Sequence, residues 1–296
     1  MGEALDIRGV GTAIVTPFKN EQVDYDALAH LLERQIEGGA NFLVPCGTTG
    51  ESPTLTDEER LRVIEKTVEV ANSRVPVVAG TGTNDTPHSV AMTRAAWRLG
   101  ADACLAVTPY YNKPTQEGLY RHFRAMIDDG GLPAVLYHIP SRCGISIEID
   151  TVKRVAEAGG VVGLKETGGV ERVTDLRLAT DVPILSGDDG LTLPMMALGG
   201  VGVISVASNV VPEAIRRMVD AAAASDFVTA RAEHEKLTPL FDALFLESNP
   251  IPVKAAVVLT GHLENADVRL PLVEVQPATV EALKQALQPF LASATA

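Results

Sequence analysis

Residues 161–167 have the sequence Val-Val-Gly-Leu-Lys-Glu-Thr, an apolar run that ends on a single lysine, Lys165. The run is short, contains β-branched residues and is bounded by Gly159-Gly160 and Gly168-Gly169, a pattern typical of a strand buried on both faces. An ammonium group in such apolar surroundings loses hydration and shifts towards the neutral amine, which is a nucleophile for carbonyl groups. The alternative is that Lys165 extends to solvent along its apolar stem.

Similar apolar runs recur along most of the chain. They cover residues 11–16, 41–45, 75–79, 103–108, 134–137, 161–165, 183–186 and 202–206. Helical patterns lie between them, with Asp24 as a candidate N-cap, a candidate capping box at Thr56-Asp57-Glu58-Glu59, and Thr86-Pro87 at a third helix start. Eight strand–helix repeats over roughly 220 residues predict an α/β fold. A closed (β/α)8 or TIM barrel fits them better than an open doubly wound sheet.

The last part of the chain has a different pattern. Residues 227–246, 252–261 and 279–291 show helical periodicity, and no convincing strand follows residue 224. The sequence therefore predicts a catalytic barrel over residues 1–224 and a C-terminal helical domain over residues 225–296. Because no low-complexity linker separates them, we expect the helical extension to pack against the barrel.

Composition excludes several classes of protein. The net charge of −13 argues against general nucleic-acid binding, and no apolar run approaches the roughly 18 residues that span a bilayer. Residues 1–6 lack the pattern of a signal peptide. Cys46, Cys104 and Cys143 show no C-x-x-C spacing, which argues against a disulfide framework and a zinc site. A cytoplasmic location is therefore expected.

Polar and aromatic residues gather where several predicted strands end. Such segments are residues 47–51, 108–114, 137–144 and 186–189, together with Lys165. In a (β/α)8 barrel the C-terminal ends of the strands meet at one face, where active sites form. The sequence therefore predicts a functional site at this face.

Each of these segments also has a structural interpretation. The loop 47–51 could hold a small carboxylate with its backbone N–H groups and hydroxyls, or it could be an ordinary polar turn. Tyr111 and Tyr137 could relay protons with Thr48 between them, or they could be half-buried aromatic residues. Arg142 could bind a carboxylate in bidentate fashion, or it could be a surface arginine.

Two further segments are assigned no ligand. Asp188-Asp189 lacks histidine partners and is expected to cap a helix that starts near Leu191 rather than to bind a metal. The glycine-rich stretch 80–84 lacks the lysine of a P-loop, so we attribute it to backbone geometry at the barrel rim.

Several motifs together resemble those of the dihydrodipicolinate synthase / N-acetylneuraminate lyase family. The matching stretches are residues 47–51 (GTTGE), 110–114 (YYNKP), Tyr137 with 139–142 (IPSR), 163–166 (GLKE), 202–206 (GVISV) and 249–254 (NPIPVK). The resemblance covers nearly the whole chain. It implies a barrel enzyme without metal or organic cofactor, usually assembled as a homotetramer built from two dimers.

The resemblance also implies the reaction and the first set of roles. The family member most similar to this chain would condense pyruvate with L-aspartate-4-semialdehyde in lysine biosynthesis. Lys165 would form an imine with pyruvate, and Thr48 and Thr49 would bind the pyruvate carboxylate. Tyr137 would be the general acid/base, and Thr48 and Tyr111 would complete the proton relay.

The remaining implied roles concern the second substrate and the floor of the site. Arg142 would receive the carboxylate of the semialdehyde. Gly187 and Ile204 are also assigned to the substrate site, Ile204 through its backbone carbonyl. His138 departs from the family, in which asparagine usually follows the tyrosine. Because neighbouring strand residues face opposite sides, we expect His138 to face the helices when Tyr137 faces the barrel mouth.

Two other functions remain open at this point. A sugar-acid aldolase or dehydratase of the same family would share the lysine and the tyrosine, but the sialic-acid lyase pattern has Ser-Thr in the first loop and lacks the arginine. A barrel that only binds a keto acid belongs to another class, and it would have no need of the proton relay.

A regulatory cleft is implied as well, since some members of the family bind L-lysine near the loop after the second strand. The corresponding residues here are Ser52, Pro53, Asp57, Arg60, Asn84, His88 and Tyr110. Lysine-sensitive members carry glutamate at position 88 and histidines at 57 and 60. We expect His88 and Arg60 to weaken the binding of an ammonium group, with partial compensation by Asp57, so that lysine inhibits weakly or not at all.

Overall fold

The computed structural model describes residues 5–291, and parallel strands form a barrel at its centre. The barrel strands are β1 (Gly9–Ala13), β2 (Phe42–Val44), β3 (Val78–Gly80), β4 (Ala103–Val107), β5 (Ala134–His138), β6 (Val161–Glu166), β7 (Ile184–Ser186) and β8 (Gly202–Ser205). Hydrogen bonds join them in the order β2-β1-β8-β7-β6-β5-β4-β3. A parallel bridge between Leu43 and Val77 closes the ring between β2 and β3. The predicted (β/α)8 barrel is therefore confirmed.

Every predicted strand overlaps an observed one, but the ends differ. Strand β1 ends at Ala13, whereas the prediction ran to Thr16. The hydroxyl of Thr16 donates to the carbonyl of Gly50, 2.8 Å away, so this segment is already part of the loops at the barrel mouth. Strand β3 begins at Val78 rather than Val75, because the backbone of Pro76 has no N–H to donate to a neighbouring strand.

Helices surround the barrel, and the first two begin at the predicted capping residues, whereas the third has Asp85 as its N-cap and Pro87 at its second rather than its first position. They are α1 (Tyr25–Glu37), α2 (Asp57–Ala71), α3 (Thr86–Arg98), α4 (Gln116–Gly130), α5 (Pro140–Cys143), α6 (Ile149–Glu157), α7 (Glu171–Ala179), α8 (Thr192–Ala197), α9 (Pro212–Ala223), α10 (Phe227–Ala243), α11 (Ile251–Leu259) and α12 (Pro277–Leu291). Asp24 accepts from the backbone N–H of Ala27, and Thr56 forms the complete capping box with Glu59. None of the helices within residues 5–291 is both long and apolar enough to cross a membrane.

Strand alternation separates the core into two layers. One apolar cluster fills the barrel interior and includes Phe42, Val135, Tyr137 and Ile204. The other lies between the barrel and the helices and includes Leu136. Successive residues of one strand thus serve different layers, which places Tyr137 inside the barrel.

Two glycines at the barrel rim are required by close backbone contacts. A Cβ atom on Gly80 would lie 2.1 Å from the carbonyl oxygen of Cys46, and one on Gly82 would lie 2.6 Å from the backbone nitrogen of Val107. Any side chain at either position would displace a neighbouring backbone segment. The glycine-rich stretch 80–84 therefore has the structural role that the sequence suggested.

The helical extension is connected to the barrel by a buried ion pair. Lys254 of α11 lies with its Nζ 2.5 Å from Oε1 of Glu51, and both side chains are buried. Lys254 also donates to the carbonyl of Asp267, and the other carboxylate oxygen of Glu51 accepts from the backbone N–H of Arg269. The packing of the extension onto the barrel, and its helices at Phe227–Ala243, Ile251–Leu259 and Pro277–Leu291, agree with the sequence.

The division into a barrel over 1–224 and a helical domain over 225–296 stays a prediction. Residues 1–4, which belong to the segment tested for a signal peptide, and residues 292–296 at the C-terminus lie outside the described part of the chain. Within residues 5–291, Cys46, Cys104 and Cys143 are buried with free thiols.

We expect Lys254→Met to lower the free energy of unfolding by about 3–5 kcal/mol, because it leaves the buried carboxylate of Glu51 without its cation. Urea denaturation followed by circular dichroism measures the change. The matched control is Lys284→Met, which removes an exposed pair with Glu281 and should change stability by less than about 1 kcal/mol. Equal effects of the two substitutions would contradict the assignment of Lys254 as an anchor of the extension.

Candidate active site

Lys165 and Tyr137 occupy matched positions on neighbouring strands. The register between β5 and β6 pairs Tyr137 with Lys165 directly. The Nζ atom of Lys165 lies 4.4 Å from the centre of the Tyr137 ring, and only 4% of the lysine is exposed. The structure therefore favours a buried lysine over one that extends to solvent.

Burial changes the charge of the lysine. It lowers the pKa of Lys165 to about 8, because desolvation disfavours the ammonium form. The carboxylate of Asp189 opposes this shift, and the guanidinium of Arg142 adds to it. A lysine with this pKa is neutral in about one molecule in ten at pH 7, so a nucleophilic amine is available.

Burial shifts the pKa of Tyr137 in the opposite direction. Burial raises its pKa to about 12, although a hydrogen bond with Thr48 and the charge of Arg142 favour the phenolate. The phenol is therefore protonated at neutral pH and can donate a proton. Thr48 lies where the sequence placed it, next to Tyr137 at the barrel mouth.

Thr49 and Arg142 are connected through a residue that the sequence analysis did not assign to the site. The side-chain Nδ2 of Asn249 donates to Oγ1 of Thr49, 3.0 Å away. Arg142 donates from Nη2 to the main-chain oxygen of Asn249, 3.3 Å away. Asn249 lies in the stretch 249–254 that matched the family, and this match was its only signal in the sequence.

Gly187 and Ile204 lie next to the lysine and within the barrel interior, respectively. A Cβ atom on Gly187 would be 2.5 Å from Cγ2 of Thr167 and 3.0 Å from Cε of Lys165, so the glycine leaves room for the lysine side chain. Ile204 is fully buried in the interior cluster.

Asp188 caps a helix, as the sequence analysis expected of both acids, whereas Asp189 does not. Asp188 caps a short 3-10 helix and accepts from the N–H of Gly190, 2.9 Å away. Asp189 is buried instead and accepts from the hydroxyl of Ser205 and from two backbone N–H groups after β8. The partners of Asp189 lie in another strand and the loop after it, and two adjacent acids in a sequence do not indicate them. The sequence analysis therefore missed the carboxylate of Asp189 near Lys165.

Tyr111 is not part of the same cluster within this chain. Its backbone has a φ of +71°, and 91% of the residue is exposed. The structure therefore brings together Lys165, Tyr137 and Thr48 but leaves Tyr111 at the surface. Its neighbour Tyr110 lines the cavity that opens above the barrel.

His138 faces away from the site, as strand alternation predicted. Its Nδ1 lies 2.5 Å from Oε1 of Glu166, which is its register partner on β6. Arg172 of α7 approaches the other carboxylate oxygen at 3.1 Å. Burial opposes ionisation of Glu166, but contacts with His138 and Arg172 outweigh it and lower the pKa of the carboxyl. The departure from asparagine at this position thus affects the barrel wall rather than the site.

One cavity of about 510 Å³ connects the site with the predicted regulatory cleft. Its wall includes Thr48, Tyr137, Arg142 and Asn249; Lys165 does not line it and contacts the ring of Tyr137. The wall also includes the cleft residues Ser52, Pro53, Asp57, Arg60, Asn84, His88 and Tyr110.

The charged groups of the cleft are engaged with partners. Nε2 of His88 lies 2.9 Å from a carboxylate oxygen of Asp57. Nη2 of Arg60 donates to the carbonyl of Gly80, 2.9 Å away, and the side chain of Asn84 donates to the carbonyl of Tyr110. Asp57 is therefore already paired, which limits the compensation that the sequence analysis considered.

Comparison with known proteins is consistent with this geometry. The model of the dihydrodipicolinate synthetase family matches residues 6–289. The chain belongs to this family. It is 50% identical over 286 residues to 4-hydroxy-tetrahydrodipicolinate synthase of Syntrophus aciditrophicus, covering 96% of this chain and 98% of that relative.

Solved structures of the family have the same fold. Dihydrodipicolinate synthase from Aquifex aeolicus matches with a TM-score of 0.93 and 45% identity, covering 96% of this chain and 98% of that structure. A chloride-inhibited dihydrodipicolinate synthase from Acinetobacter baumannii, complexed with pyruvate, matches with a TM-score of 0.92 and 44% identity. This alignment covers 96% of the present chain and 98% of the other.

The lowered pKa of Lys165 predicts its reactivity as pH changes. Its ammonium loses a proton near pH 8, so its reaction with acetic anhydride should rise with a midpoint there. Lys19 is an internal control, because Glu264 raises its pKa above the usual value and its reaction should rise only at higher pH. Competitive acetylation followed by mass spectrometry measures both midpoints. A midpoint for Lys165 equal to that of Lys19 would contradict the effect of burial.

Proposed function

We propose that this protein condenses pyruvate with L-aspartate-4-semialdehyde to form 4-hydroxy-tetrahydrodipicolinate, in the diaminopimelate and lysine biosynthesis pathway. The observation that carries the proposal is the buried amine of Lys165, with a pKa of about 8, next to the protonated phenol of Tyr137. The 50% identity to a synthase of this name over nearly the whole chain supports the same reaction.

The first half of the reaction would be imine formation. The neutral amine of Lys165 attacks the keto carbon of pyruvate, and the carbinolamine then loses its hydroxyl as water. Tyr137 is suited to donate the proton that the leaving hydroxyl needs, because its pKa keeps the phenol protonated. The protonated imine is the electron sink, so neither a metal nor an organic cofactor is required in this mechanism.

The second half would form the carbon–carbon bond. Loss of a methyl proton converts the imine to an enamine, whose terminal carbon attacks the aldehyde carbon of the semialdehyde. The resulting alkoxide takes a proton, and the amino group of the second substrate replaces Lys165 at the imine carbon. This replacement closes the ring and returns the free lysine, so the overall reaction releases one water.

Arg142 supports the choice of a small charged aldehyde as the second substrate. Its side chain lines the cavity and is held by the main-chain oxygen of Asn249, which leaves other guanidinium N–H groups free to bind a carboxylate. We therefore assign Arg142 to the semialdehyde carboxylate, and Thr48 and Thr49 to that of pyruvate.

Tyr111 would serve the relay only in an assembled protein. Its exposure and its left-handed backbone suit a residue that is held by a contact between subunits. We propose a homotetramer made of two dimers, in which Tyr111 of one protomer lies near the site of its partner. We also propose a cytoplasmic location, the usual place of amino-acid biosynthesis.

Borohydride reduction in the presence of pyruvate should attach a pyruvate-derived group to Lys165. Tandem mass spectrometry identifies the modified lysine, and Lys153 of the exposed face of α6 is the unmodified reference within the same digest. Lys165→Ala should lose the adduct and reduce kcat by at least about 1,000-fold, because the covalent step then lacks its amine.

Four results would overturn the proposed reaction. One is an unmodified Lys165, and another is full activity of Lys165→Ala. The third is cleavage of N-acetylneuraminate at a rate comparable to that of the condensation, which would favour a sugar-acid aldolase. No product from purified protein with both substrates would favour a keto-acid-binding barrel instead.

L-Lysine should inhibit the condensation weakly or not at all. Asp57 is paired with His88, so an incoming ammonium would have to replace that contact or bind without a carboxylate. The loss of one charge-assisted hydrogen bond weakens binding by about 1.5–3 kcal/mol, roughly one to two orders of magnitude in affinity. Titration of lysine into the assay at neutral pH measures the effect, with His88→Glu as the variant expected to gain sensitivity. Half-inhibition of the unmodified protein at sub-millimolar lysine would contradict this expectation.

A further inference from the structure

The loop that carries Thr48 and Thr49 is held by the C-terminal helical extension. Asn249, just before α11, donates to the hydroxyl of Thr49, and Lys254 within α11 pairs with Glu51 at the end of the same loop. Both contacts are buried and join residues about 200 positions apart in sequence. The extension therefore has direct contact with the loop at the barrel mouth.

The contact of Asn249 also determines the direction of a hydrogen bond. Since Nδ2 of Asn249 donates to Oγ1 of Thr49, the hydroxyl accepts on that side and its own proton is free to be donated elsewhere. A carboxylate accepts hydrogen bonds and cannot donate them. The amide thus presents Thr49 as a donor, which is the polarity that a bound carboxylate requires.

The two oxygen atoms of Asn249 also support a role at the site. Only 7% of the residue is exposed, and Oδ1 is buried with no hydrogen-bond partner among residues 5–291. Buried amide oxygens are nearly always satisfied in stable cores, so a purely structural role does not account for this one. The main-chain oxygen of the same residue accepts from Arg142.

We propose that Asn249 is a positioning residue of the substrate site, which orients the hydroxyl of Thr49 towards the pyruvate carboxylate and holds the guanidinium of Arg142. This inference rests on the proposed function, because it uses the assignment of Thr49 to pyruvate. It makes the helical extension part of the binding site rather than a separate appendage. The side chain of Asn249 acts through Thr49 and not on the reacting atoms.

The test compares how pyruvate concentration affects the rate of borohydride trapping at Lys165. In Asn249→Ala, the half-saturating pyruvate concentration should rise about tenfold, the scale expected for one misdirected hydrogen bond to a charged group, while the adduct at saturation is retained. Thr49→Val should have a similar effect. The double variant should be no worse than Thr49→Val alone, because Asn249 acts through that hydroxyl.

Asn41→Ala is the matched control. Asn41 lies just before β2, where its Oδ1 accepts from the backbone N–H of Val10 at 2.9 Å at the opposite end of the barrel. Its loss should lower the thermal midpoint and leave the half-saturating pyruvate concentration unchanged. A purely structural role of Asn249 predicts the same pattern for Asn249→Ala, so the two variants separate positioning from stability.

Asn249→Asp keeps the size of the side chain and provides a second test if the alanine variant does not fold. An aspartate cannot donate to Thr49 and repels an incoming carboxylate, so it should raise the half-saturating concentration further than alanine. An unchanged value in Asn249→Ala, additive effects with Thr49→Val, or a milder effect of aspartate would overturn the inference. Absence of the pyruvate adduct in the unsubstituted protein would instead overturn the proposed function, and this inference with it.

Discussion

Burial of the Lys165 side chain inside an apolar barrel is the constraint on which the site depends. An ammonium group in this position loses most of its hydration, and its attraction to the carboxylate of Asp189 offsets only part of that desolvation energy. The remaining cost appears as a lowered pKa, and the neutral amine is the chemically useful form. The same apolar surroundings raise the pKa of Tyr137, so one environment favours both the neutral amine and the protonated phenol that the proposed reaction uses. Desolvation is the main cause of both pKa shifts, so neither shift depends chiefly on a charged neighbour.

The barrel supplies this environment through its register. Tyr137 and Lys165 are paired across β5 and β6, and the next pair in the same register is His138 and Glu166. Because side chains alternate, the first pair enters the barrel and the second faces the helices, where Glu166 contacts His138 and Arg172. A shift of either strand by one residue would turn the side chains of that strand to the opposite face, so that Tyr137 or Lys165 would face the helices. The contacts of Glu166 with His138 and Arg172 behind the wall form in the same register that brings the lysine and the phenol together.

Local patterns in the sequence were sufficient for the fold but not for every site residue. The capping box at Thr56 and the N-cap at Asp24 involve atoms within a few residues of one another, so their patterns could be recognised from the sequence. Lys165 was recognisable because a charged residue interrupts an apolar run. Asn249 and Asp189 act on partners brought close only by the closed barrel and its extension, and no local spacing indicates them. Local sequence patterns also did not indicate that Tyr111 would be exposed in the single chain.

The loop after β2 shows how distant contacts maintain an unfavourable local geometry. Cys46 and Glu51, at its two ends, both have left-handed backbone conformations, with φ of 55° and 54°. Such conformations cost about 1–3 kcal/mol each for residues other than glycine, so the surrounding structure must stabilise them. Glu51 receives the ammonium of Lys254 and the backbone N–H of Arg269, both from the extension. Because these contacts hold the end of the loop, the strained turn can direct Thr48 and Thr49 to the barrel mouth. This is a reason for an enzyme barrel to keep a helical extension, although residues 225–291 contribute nothing to its strands.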